Sequence, residues 1–147
     1  MSFKTARSQI VKIVNSAQPT TSVAGSGTAF KYSDTSGDFR VSSTRHFYLT
    51  TEGGAVGGPL TSITRIYRAD VNLIIFYQNV RSAEKFDEIV VSDYEVISNA
   101  LLDVAGWQQA SSKIRTITVA GSNIVRYEVS DTEDGRLLTI NIELEYE

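Results

Sequence analysis

The sequence closes on Leu137-Leu-Thr-Ile-Asn-Ile-Glu-Leu-Glu-Tyr-Glu147, and no other segment constrains the fold as tightly. Leu138, Ile140, Ile142, Leu144 and Tyr146 fall on one side of an extended backbone. Thr139, Asn141, Glu143, Glu145 and Glu147 fall on the other. This is the period of a strand, because successive side chains of an extended chain point to opposite faces. One face is therefore buried and one is wet, so a sheet and an apolar cover are required. Alternation to the last residue predicts a strand end held in the fold. The glutamates are expected to guard it as a terminal edge, since like charges repel an approaching copy.

The rest of the chain supplies the cover and the partner strands. Ser2 to Asn15 carries Phe3, Ala6, Ile10, Ile13 and Val14 at helical spacing, with Ser2 as N-cap and Asn15-Ser16 and Pro19 as the stop. Residues 18–44 are rich in Ser, Thr and Gly, and only Ala29 to Tyr32 reads as a short strand. A second strand is expected at Arg45 to Thr51. Glu52 to Pro59 follows as a glycine-rich loop. Ile63 to Gln78 reads as a long strand that becomes apolar on both faces from Leu73 onward. Sixteen extended residues span roughly 50 Å, which predicts a bend or bulge. Ser82 to Ala105 is helical along Phe86, Ile89, Val90, Tyr94, Ile97, Leu101 and Val104, and Gly106 closes it. Ser92-Asp93-Tyr94-Glu95 has the form of a capping box, which predicts a break near Val91 and a helical pair. Lys113–Val119 and Asn123–Val129 flank Ala120-Gly121-Ser122 as a hairpin, and Asp134-Gly135 signals a further turn.

The expected fold is therefore α+β. It is a mostly antiparallel sheet with an N-terminal helix and a central helix or helical pair packed on one face. At 147 residues the chain fits a single domain over 1–147, with mobile loops expected at 18–44 and 52–62. There are no cysteines, which excludes disulfide and thiolate chemistry and fits a reducing compartment. The N-terminus has no apolar run of signal-peptide length, and the longest apolar stretch, Leu73 to Tyr77, is far short of a membrane span. Net charge is −3 but uneven: residues 1–81 hold nine Lys/Arg and four Asp/Glu, and residues 82–147 hold five and thirteen. Halves of +5 and −8 can attract within a fold or between copies. No dense basic cluster interleaved with aromatics points to a nucleic-acid-reading surface.

Little in the sequence reads as chemistry. His46 is the only histidine, and neither a Gly-x-Ser-x-Gly elbow nor a cysteine accompanies it, so it reads as a strand residue, although Ser42 and Ser43 lie near it in sequence. Asp131, Glu133 and Asp134 lack the spacing of a calcium loop and read as a polar tip. Glu143, Glu145 and Glu147 share one strand face, whereas glycosidase carboxylates stand across a cleft. The stretch around Gly53 is not followed by the Lys-Ser/Thr and helix start of a phosphate loop. Gly53, Gly54, Gly57, Gly58 and Pro59 read instead as a pliable loop able to remodel against a partner. No catalytic, cofactor-binding or metal residue is assigned, and no enzyme activity is expected.

Three stretches carry a resemblance: Ile66-Tyr-Arg-Ala-Asp-Val-Asn-Leu-Ile-Ile-Phe, Arg81-Ser-Ala-Glu-Lys-Phe-Asp-Glu-Ile, and Arg136 to Glu147. With the order of elements, they resemble the tail terminator (tail completion) proteins of long-tailed bacteriophages. The resemblance implies a structural virion protein of the tail or neck, assembled in the host cytoplasm. It implies a homo-oligomeric, hexameric ring that caps the tail tube and docks it to the head. The implied partners are other copies of the chain, the tail-tube protein and a head-connector protein, with DNA passing through unread and no membrane contact. A different connector, head-completion or tail-tube subunit shares this texture. A small hydrolase or ligand-binding α+β domain using His46 and the tip acids is the alternative from another class.

Overall fold

Two periodicities in the chain become two layers. The structure, a computed structural model, describes residues 3–20, 29–33, 45–57, 66–78, 83–103, 114–128 and 134–146. In order these form α1 (Phe3–Ser16), β1 (Lys31–Tyr32), β2 (His46–Gly57), β3 (Ile66–Gln78), α2 (Ala83–Leu102), β4 (Ile114–Glu128) and β5 (Asp134–Tyr146). The strands make one sheet of order β1-β2-β3-β5-β4, antiparallel except for the β1–β2 pair. The α+β architecture expected from the sequence is the one observed.

The core lies between the helices and one sheet face. Ala69, Val71, Leu73, Ile75 and Tyr77 of β3 stand beside Leu138, Ile140, Ile142, Leu144 and Tyr146 of β5. Ala6, Ile10 and Val14 of α1 and Ile89, Val90, Ile97 and Leu101 of α2 close over them. Each such side chain contributes about 1.5–3 kcal/mol on leaving water, which makes this face the main stabilising element. α1 is tied to the β1 edge by Arg7, which donates to the Tyr32 hydroxyl at 2.8 Å and lies over its ring. The helix ends where Ala17 N donates to Val14 O, and Pro19 follows.

The structure corrects several readings. β5 is not an edge: it runs between β3 and β4, so its glutamates lie on the face turned away from α1 and α2 and do not guard a rim. β3 and β5 stay in register from Tyr67↔Tyr146 to Gln78↔Gly135, so the expected bulge is not in β3. It lies in β2, between Thr51 and Gly53. Residues 53–57, read as part of a loop, are strand, with Gly53, Gly54 and Gly57 opposite Asp70, Ala69 and Ile66. Glu52 is likewise strand, and Gly58, Pro59 and residues 60–62 lie outside the described residues.

Within 18–44, Phe30 is buried and β1 pairs with β2, so that stretch is not structureless throughout. The hairpin predicted around Gly121 is one continuous strand, β4. Gly121 marks a register shift there, and a glycine inside a strand signals a bulge as readily as a turn. Asp134-Gly135 opens β5 and is not the turn. α2 is a single helix without a break at Val91. The Ser92 hydroxyl pairs with Thr20 at 2.8 Å, and the Asp93 carboxylate is engaged by the sheet, so neither serves as a cap.

Candidate functional site

The strongest polar cluster is buried. Arg45 Nε donates to Asp93 Oδ2 at 2.9 Å and Nη2 to Oδ1 at 3.0 Å, and the Tyr77 hydroxyl donates to Oδ2 at 2.8 Å. Both charged side chains are fully buried. The Arg45 backbone is held in the left-handed region at φ 66, which costs a non-glycine residue about 1–2 kcal/mol. Its N–H donates to Phe76 O at 2.7 Å and its carbonyl accepts from Lys31 N at 3.1 Å, and these bonds oppose the strain. Burial raises the carboxyl of Asp93 above its ordinary value, against the lowering pull of Arg45 and Tyr77. Burial first, and Asp93 second, push the Tyr77 phenol well above its ordinary value. The three groups bond to one another away from solvent. The arrangement knits α2 to the sheet and offers no accessible acid or base.

The other sequence candidates do not converge. His46 opens β2, half-buried, and burial and then Lys31 lower its pKa, so the imidazole is neutral at pH 7. Ser42, Ser43, Asp131 and Glu133 lie outside the described residues, and Asp134 pairs with Glu128. Glu145 accepts from Arg68 at 3.0 Å, and Glu143 stands opposite Asp70 on the same helix-free face. Glu147 lies outside the described residues. Among the described residues no group of three or more His, Cys, Asp or Glu is placed to hold a metal ion. No described helix is long and apolar enough to cross a membrane.

Among the described residues the fold presents two strand edges with no paired outer strand. On one side β1 covers only His46 and Phe47, so residues 48–57 of β2 pair with β3 inward and with no described strand outward. On the other side β4 pairs, among the described residues, with β5 alone. The halves of β4 differ. Register shifts at Ile114/Thr116 and Val119/Gly121 interrupt its first part, and such bulges blunt an edge. From Gly121↔Asn141 to Glu128↔Asp134 the ladder is regular, and it carries Ile124 and Val125, 39% and 44% exposed. A regular edge with exposed aliphatic residues is a template for another strand. Sequence reasoning missed this edge, because it divided β4 into two short strands at Gly121. No known protein family matches the chain, and no curated protein matches it.

Proposed function

We propose that this chain is a self-assembling structural subunit, a virion protein of the tail terminator kind, whose copies join head to tail in a closed ring. One observation carries the reading: among the described residues a single sheet ends in two different edges on opposite sides, 48–57 of β2 and 121–128 of β4, with no strand paired outside them. Unlike edges are satisfied together only by a heterologous contact, which closes into a ring when the rotation per subunit allows and otherwise runs on as a filament. The charge halves of +5 and −8 support association between copies. The sheet face turned away from α1 and α2 carries Asp70, Glu143 and Glu145 beside Arg68, a net negative chemistry that would let nucleic acid pass a lumen without sticking.

In this role the ring caps the tail tube and offers a docking face to the head, with no covalent step. The test is mass in solution at micromolar concentration, followed by negative-stain images. A closed annulus of six copies is the expected result. Unlimited fibres would assign the chain to the tube subunits, and a monomer that also fails to add to purified tail tubes would overturn the reading. Ile124→Lys should abolish the annulus and leave the fold intact.

A further inference from the structure

Residues 121–128 of β4 lie on the opposite side of the sheet from residues 48–57 of β2, and the strand directions bear on how they meet. β2, β3, β5 and β4 alternate in direction, each antiparallel to its neighbour. A second copy in the same orientation therefore brings its β2 antiparallel to β4, which continues the alternation across the junction. Antiparallel pairing is the more stable kind per residue.

Side-chain size then selects a register. Setting Val125 opposite Gly53 brings Ile124 opposite Gly54 and Asn123 opposite Ala55, with Glu52, at the register shift of β2, outside the paired run. The faces agree. Ile124 is in register with core-facing Leu138, and Gly54 with core-facing Ala69; Val125 and Gly53 are in register with Leu137 and Asp70 on the other face. A mismatch of one residue would reverse every side chain. The two exposed aliphatic residues of β4 thus meet the two adjacent glycines of β2, which carry no side chain of their own.

We infer that the seam between copies is an antiparallel ladder of 121–128 of β4 with the glycine-bearing edge of β2 from the next copy, Ile124 and Val125 lying over Gly54 and Gly53. This rests on the self-assembly reading above and goes beyond it by naming both edges and their register. The contact also gives the glycines at 53 and 54 a role that neither a turn nor a phosphate cradle supplies.

The chain has no cysteine, so single cysteines report the seam directly. Opposed Cα atoms in antiparallel strands lie about 4.5–5.5 Å apart, inside the span of a disulfide. Ala55→Cys and Asn123→Cys chains are prepared separately, each checked for a wild-type melting curve, then mixed and treated with a mild oxidant. The expected result is a two-chain band, reversed by reductant, in the mixture and in neither chain alone. Adding Ile124→Lys to the Asn123→Cys chain should remove it. A band from Asn123→Cys alone would mean β4 pairs with β4 and would overturn the inference, as would no band in a mixture whose mass shows assembled rings. If the mass shows monomers throughout and the chains also fail to add to purified tail tubes, the self-assembly reading itself has failed; assembled but unlinked chains sink only this seam.

Discussion

Two arginine–carboxylate pairs with nearly the same geometry occupy opposite ends and opposite faces of the sheet. Arg45 and Asp93 meet at 2.9 Å with both side chains at 0% exposure. Arg68 and Glu145 meet at 3.0 Å with 64% and 31% exposed. Distance does not distinguish them, but solvent does. In the first pair each charge has given up its hydration, so each depends on the other, and removing one strands its partner. In the second, water already solvates both, and forming the pair gains little beyond what water supplies. One pair therefore locks a helix to the sheet at the β1 end, and the other decorates a wet face.

The widest test of that contrast is to delete the acid from each. Asp93→Ala should cost about 3–5 kcal/mol in urea unfolding, because it leaves the Arg45 guanidinium charged and buried without its counter-ion. The strained backbone of Arg45 at φ 66 then loses the tie that holds its side chain in place. An Asp93→Ala loss no larger than that of an exposed pair would show that water enters the cluster.

Next in size is Tyr77→Phe. It keeps the ring in the core and removes one donor to Asp93 Oδ2, leaving both arginine bonds. A hydrogen bond to a charged group is worth about 1.5–3 kcal/mol, so the loss should fall below that of Asp93→Ala. Equal losses would mean the phenol, not the guanidinium, is what stabilises the carboxylate.

The reason the sequence revealed the layers but not this cluster lies in the range of the interactions. The stripes of α1 and α2 and the alternation of β5 are set by local periods, so burial can be read from neighbours in the chain. Arg45 and Asp93 are 48 residues apart, and no local pattern links them. Asp93 also sits in Ser92-Asp93-Tyr94-Glu95, where a capping reading competes. One signal was present: Asp93 falls on the buried stripe Ile89, Ile97 and Leu101 at four-residue spacing, where an acid needs a partner. Glycine misled for a related reason. Gly53 and Gly121 break a strand pattern, and composition does not tell a bulge from a turn. The place of β5 inside the sheet was equally hidden, since a glutamate face is wet on an edge strand and on an inner one.

The pH dependence sharpens the contrast further. Burial raises the Asp93 carboxyl above its ordinary 3.8, so the folded chain binds that proton more tightly than the unfolded chain. The stability Asp93 contributes is then fully present below 3.8 and declines as pH rises through the raised value. The difference in unfolding free energy between wild type and Asp93→Asn should therefore shrink with rising pH across that window. A difference that grows with pH would mean Arg45 outweighs burial and depresses the carboxyl.

The smallest effect belongs to the exposed pair. Arg68→Ala removes the donor to Glu145, and its cost should stay between about 0 and 1 kcal/mol because both groups keep water as an alternative partner. The same loss should fade as salt is raised toward 1 M, where screening acts within about 3 Å. Asp93→Ala should keep its penalty at that salt, since ions do not reach a fully buried pair. Salt thus separates the two pairs on one axis. A penalty for Arg68→Ala that survives 1 M salt would place Glu145 in a dry contact, and because Asp70 and Glu143 share its face, that outcome would show the helix-free side of the sheet is covered in solution.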